Sequence, residues 1–60
     1  MLKIGLLRQR AGLKQKDIAS VLGVTQGLIS MWESGRATPP TKFLPELAKV
    51  LKCEVSDLFE

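Results

Sequence analysis

Three residues, Gly23, Val24 and Thr25, limit what this chain can become, because they are all that separates two helical patterns. Before them Ile18, Ala19 and Leu22 recur at helical spacing, and after them Leu28, Ile29 and Trp32 do the same. A glycine just past such a stripe suits the left-handed backbone that ends a helix. Thr25 carries a hydroxyl that can accept from an orphan N–H of the helix it precedes. A joint this short, entered through a positive-φ glycine, makes the two helices cross steeply. Ala19 then falls at the crossing, where a larger side chain would push the helices apart. Ile18, Leu22, Val24, Ile29 and Trp32 point inward, which leaves Gln26, Gly27, Ser30 and Met31 on one outer face.

The rest of the chain repeats the same grammar. Ile4, Leu7 and Ala11 form a stripe before Gly12, and Leu44, Leu47, Ala48 and Leu51 form another towards the end. Leu13 and Val24 each follow a stop glycine, as the apolar residue that packs back over it. Gly35 stops the third helix, Pro39 and Pro40 mark the break before the fourth, and Pro45 falls in the fourth helix's first turn, where its missing N–H does no harm. No apolar–polar alternation and no Asn-Gly or Asp-Gly turn signals a hairpin. The expectation is an all-α single domain over residues 1–60, with five helices at about 2–11, 15–22, 26–33, 42–51 and 55–59. Three positions go against the pattern. Lys14 stands where the second helix wants an oxygen-bearing cap, Lys52 stands where a stop glycine belongs, and Gly5 weakens the first helix by up to ~1 kcal/mol against alanine.

Composition excludes more than it assigns. Sixty residues make one small domain, which buries only ~60% of the surface of its unfolded chain. Cys53 is the sole cysteine and there is no histidine, so a disulfide framework and a Cys/His zinc site are both ruled out. A lone thiol suits a reducing cytoplasm. No apolar run exceeds three residues, far short of the roughly 18 or more of a membrane span. Catalysis lacks its usual equipment: no His, no Tyr, no glycine-rich phosphate loop and no acidic pair with an evident cleft. No cofactor and no small-molecule effector is implied. The net charge of +3 fits a polyanionic partner without demanding one.

The segment Gln15-Lys-Asp-Ile-Ala-Ser-Val-Leu-Gly-Val-Thr-Gln-Gly-Leu-Ile-Ser-Met-Trp-Glu-Ser-Gly resembles the Cro/C1-type (phage repressor, XRE-like) helix-turn-helix domains. The match includes the leading Gln, the crossing Ala, the turn Gly, the inward Ile and the closing Glu-x-Gly. Leu7-Arg8, Phe43-Leu-Pro-Glu-Leu-Ala and Val55-Ser-Asp-Leu-Phe are also similar to phage repressor sequences, so the likeness covers essentially the whole chain. It implies a compact five-helix lambda-repressor-like fold whose third helix enters the major groove of double-stranded DNA. It further implies a transcriptional regulator, a repressor acting by operator occupancy, that binds a palindromic operator as a homodimer. A separate effector or oligomerisation domain is not expected.

Carried over by residue, the resemblance makes Gln15 a phosphate contact through its backbone N–H and a brace for Gln26. Gln26 would bind adenine N6 and N7 with both ends of its amide. Thr25 would combine capping with a phosphate contact, and Arg36 and Lys42 would hold phosphates. Lys14 and Arg10 stand evenly between phosphate contacts and solvated charges, and Leu28 is a further backbone contact. Arg8 and Glu33 match an ion pair tying helix one to helix three. Pro40, Val55 and Phe59 fall on the implied dimer surface. The chain departs from its relatives on the reading face, where Gly27 and Met31 make no directional bond to a base. Gly27 allows close backbone approach, Met31 and Leu28 suit a thymine methyl, and Ser30 is a second polar reader after Gln26. Trp32 and Cys53 read as core rather than as stacking platform or reactive thiol. The rival reading is a protein-interaction module, such as an antitoxin or accessory protein, with Leu28 and Met31 as its apolar contact.

Overall fold

Each α-helix ends in the same way. The computed structural model describes residues 2–59, and Met1 and Glu60 lie outside them. Among the described residues are four α-helices, α1 (Ile4–Arg10), α2 (Gln15–Leu22), α3 (Gln26–Ser34) and α4 (Leu44–Val50). Past each lies one residue at positive φ, namely Gly12, Gly23, Gly35 and Lys52. The N–H that follows it reaches back to a carbonyl five residues earlier: Leu13 to Arg8 (3.1 Å), Val24 to Ala19 (2.9 Å), Arg36 to Met31 (3.0 Å) and Cys53 to Ala48 (2.9 Å). This closure satisfies carbonyls that the helix leaves orphaned. Leu13, Val24 and Cys53 then pack against the core, so three of the four stops also fold the chain inward, while Arg36 after Gly35 stays exposed. Lys52 fills a glycine slot at φ 57°, a conformation that disfavours a side chain.

The core draws one fully buried residue from each segment. Ile4, Ile18, Ile29 and Leu47 come from α1 to α4, and Leu58 from the C-terminal turn. Ala19 and Ala48 are also buried, and α2 packs against both α3 and α4. Trp32 is 2% exposed and meets the Phe43 ring at 5.8 Å between centroids, tilted by 45°. No polar or charged residue is buried among those described. The result is an all-α bundle in which α2 and α3 are joined by the short turn.

Several boundaries differ from the sequence expectation, each for a local reason. The first helix starts at Ile4 rather than at residue 2, because Leu2 forms an antiparallel bridge with Phe59. The Lys3 N–H also donates to the Leu58 carbonyl at 2.8 Å, so the two ends of the described chain hold each other. Ala11 is exposed rather than core. The fourth helix is preceded by a 3-10 turn, Thr41–Phe43, and α4 itself begins at Leu44. Pro45 has no N–H to give the Thr41 carbonyl, which accepts from Leu44 instead, and that shorter reach is the 3-10 pattern. The segment expected as a fifth helix is a 3-10 turn, Val55–Leu58, because Phe59 leaves it extended to reach Leu2. At Lys14 the missing side-chain cap is offset from the other direction. Asp17 Oδ2 accepts the Lys14 N–H at 2.8 Å, the return half of a capping box.

The turn between α2 and α3 can be tested in isolation. A Cβ at Gly23 would meet nothing within 4 Å, so a side chain there is opposed by backbone conformation alone. Gly23→Val should cost about 1–2 kcal/mol and lower the melting temperature by roughly 4–16 °C. An unchanged melting temperature by circular dichroism would contradict the left-handed turn.

Candidate nucleic-acid interface

The outer face of α3 begins at a well-made cap. Thr25 Oγ1 accepts the Leu28 N–H at 3.2 Å, and the Thr25 backbone is extended as a cap requires. From there Gln26, Gly27, Ser30 and Met31 are all exposed, on the side opposite buried Ile29 and Trp32. A helix bare on one side and anchored on the other has the dimensions of a major-groove reader. Leu28 does not share that face. Its side chain is half-buried against the core and its N–H is committed to Thr25, which leaves Met31, at 41% exposure, as the apolar group of the surface.

A chain of hydrogen bonds runs from this face into the body of the domain. Gln26 Nε2 donates to Gln15 Oε1 at 3.4 Å, and Gln15 Nε2 donates to Glu33 Oε1 at 3.1 Å. Glu33 also accepts from Arg8 twice, from Nε at 2.7 Å on Oε2 and from Nη2 at 3.2 Å on Oε1. The remaining Arg8 arm donates from Nη1 to the Leu13 carbonyl at 3.0 Å. The structure therefore joins four of the residues singled out in the sequence, Arg8, Glu33, Gln15 and Gln26, across α1, α2 and α3. The Arg8 and Glu33 side chains are only 15% and 13% exposed, so their two-pronged pair is largely shielded from water.

The cationic residues are spread around this centre. Arg10 ends α1, Lys14 precedes α2 and Arg36 follows Gly35, and all three side chains are exposed. Lys42 is exposed in the 3-10 turn, and its ammonium lies 5.2 Å over the Phe43 ring. That cation–π contact, with Phe43 resting on Trp32, restricts where the charge can reach. Gln15 is the first residue of α2, where backbone N–H groups have no partner within the helix. Pro40, Val55 and Phe59 are exposed, as a contact surface requires. Phe59 borders a shallow groove with Leu2, Trp32, Ala37 and Thr38, whereas Pro40 and Val55 lie outside its lining.

A family model described as helix-turn-helix matches residues 4–58, which spans all four helices and both 3-10 turns. The chain belongs to the helix-turn-helix family. Among curated proteins it is similar to Repressor protein C of Escherichia phage P2, with 46% identity over 39 residues. That match takes in 65% of this chain and 39% of the phage protein, so the chain spans about two fifths of its relative's length.

The fold and the family match agree that this is a helix-turn-helix domain. Among the described residues no three His, Cys, Asp or Glu gather as a metal site, and no helix is long and apolar enough to cross a membrane. Burial, and then the negative charges of Asp57 and Glu54, push the Cys53 thiol up from its usual range, so it stays protonated and weakly nucleophilic at neutral pH.

Gly5 has a role that its sequence position did not reveal. A Cβ there would come within 3.1 Å of Glu33 Oε1, so the missing side chain lets α1 approach the carboxylate. The only hint in the sequence is that Gly5 sits three residues before Arg8, on the same helical face. Gly5→Ala should stabilise the domain less in the native chain than in a Glu33→Ala background. The difference in a double-mutant cycle followed by urea denaturation should be about 0.5–1 kcal/mol. Equal gains in the two backgrounds would show that Gly5 and Glu33 are independent.

Proposed function

We propose that this chain binds double-stranded DNA sequence-specifically, with α3 in the major groove, and regulates transcription by occupying an operator. The observation that carries the proposal is the presentation of Gln26. Its amide stands at the start of an otherwise bare helix face and is held from behind by Gln15. A glutamine fixed in this way has an acceptor and a donor left for adenine N6 and N7. Likeness to a phage protein named as a repressor supports the same reading.

The other groups divide by chemistry. Ser30 supplies a second, weaker polar contact, Met31 an apolar one for a thymine methyl, and Gly27 a close backbone approach. The exposed Arg10, Lys14, Arg36 and Lys42, with the Gln15 N–H and the Thr25 cap, contact phosphates and set register. Leu28 is the weakest of the backbone contacts, since its amide is already engaged by Thr25.

The domain, over residues 1–60, is of the lambda-repressor-like kind and works in the cytoplasm. Its Cα atoms span 24 × 22 × 20 Å, less than the ~34 Å of one helical turn of DNA. Two copies related by a twofold axis would therefore read two half-sites of a palindrome, meeting through a surface that includes Pro40, Val55 and Phe59. Exposed Met31 and Val21 favour the second reading, a protein-interaction module. Salt separates the two, because phosphate contacts make log K fall about linearly with log salt, whereas an apolar interface responds little.

Two substitutions test the assignments. Gln26→Ala should cost about 1–3 kcal/mol on the preferred site and little on random DNA, measured by fluorescence anisotropy. Equal loss on both would remove Gln26 as a base reader. Arg36→Ala should weaken every sequence alike and reduce the slope of log K against log salt by about one. A loss confined to one sequence would contradict a phosphate contact.

A further inference from the structure

We infer that Glu33 is a positioning residue that fixes the polarity of the Gln15 and Gln26 amides, and so makes α3 read adenine rather than guanine. The inference rests on Gln26 as the base reader proposed above and goes beyond it to the residue that decides which base is read.

The reasoning is a matter of donors and acceptors. An amide has two dissimilar ends, and which way it points is decided by its partners. A carboxylate beside an arginine accepts only, and a guanidinium donates only. Glu33 is held in place by both Arg8 nitrogens that face it, and the third Arg8 arm is anchored on the Leu13 carbonyl. Gln15 can therefore offer Glu33 only its NH2 end, which it does at 3.1 Å. Its Oε1 must then face α3. A carbonyl oxygen cannot donate, so Gln26 turns its own NH2 end inward, at 3.4 Å, the longest link of the chain.

What remains outward on Gln26 is Oε1 and one N–H. That pair matches adenine, which offers the N6 donor and the N7 acceptor in the major groove. Guanine offers two acceptors, O6 and N7, and would set O6 against Oε1. With the chain reversed, Gln26 would present both N–H groups and suit guanine instead. Glu33 thus acts through two amides on a base that it does not touch. Gly5 contributes by leaving room for the carboxylate.

Glu33→Gln and Arg8→Lys separate this role from simple stabilisation. Both weaken the ion pair, but only Glu33→Gln replaces the acceptor-only group with one that can also donate and so permits the reversed chain. The first readout uses 15N-labelled free protein without DNA. The Gln26 side-chain amide resonance should shift in Glu33→Gln and stay near its native position in Arg8→Lys. The second readout is the ratio of affinities for duplexes with adenine or guanine at each pair of the preferred site in turn, measured for these variants and for Gln26→Ala. It is taken at a temperature where circular dichroism shows each variant folded. The native protein and Arg8→Lys should share one ratio, and Glu33→Gln should lower it about tenfold. An unmoved Gln26 amide in Glu33→Gln overturns the polarity chain. An equal drop of the ratio in both variants reduces Glu33 to a structural part. A shifted amide with no base preference lost in either Glu33→Gln or Gln26→Ala keeps the chain and instead removes Gln26 as the base reader.

Discussion

One carboxylate holds the working end of this domain together. Glu33 lies near the end of α3 and accepts from Arg8 of α1 and Gln15 of α2, so three helices meet on its two oxygens. The charges are largely out of water, and their value lies in being paired: removing one partner from such a shielded pair costs about 3–5 kcal/mol, because the other is left uncompensated. For a chain with only one small core, that is a large share of total stability. The network also sets geometry. It fixes how the start of α2 sits against α3, and therefore where Gln15 and Gln26 stand relative to each other.

The same economy governs the backbone. Four helices of seven to nine residues are too short to be stable alone, so their ends matter as much as their middles. Each ends in a left-handed residue and a back-reaching N–H, and three of these stops send an apolar residue into the core. The stop at Gly23 is the functional one, since it delivers Thr25 as the cap of α3 with only Val24 between them. The exposed face of α3 is thus positioned by a turn behind it, a cap at its start and a carboxylate near its end. None of these needs the outward residues, which are left free for the DNA reading proposed for them.

Most of this was legible in the sequence because it depends on local rules. Ile18, Ala19, Leu22, Ile29 and Trp32 announced one shared core by spacing, and Gly12, Gly23 and Gly35 announced the stops. Family resemblance placed Arg8 opposite Glu33 and Gln15 beside Gln26. What was not legible depends on partners distant in the chain or on missing atoms. The bridge between Leu2 and Phe59 spans almost the whole sequence, and no alternation marks residues that make a single pair. The 3-10 turn before α4 follows from one absent N–H at Pro45. Gly5 looked like a weakness because its benefit is the space it leaves for a residue 28 positions away. The link from Gln15 to Glu33 was missed because each residue already had a sufficient role without the other.

The central claim is that the face made by Gln26, Gly27, Ser30 and Met31 reads DNA bases. The most direct test is selection of bound duplexes from a random pool. The recovered sequences should share a short half-site with a defined adenine, repeated in inverted orientation with centres about one helical turn apart. Binding that persists without enrichment of any sequence over the starting pool would contradict base reading by α3.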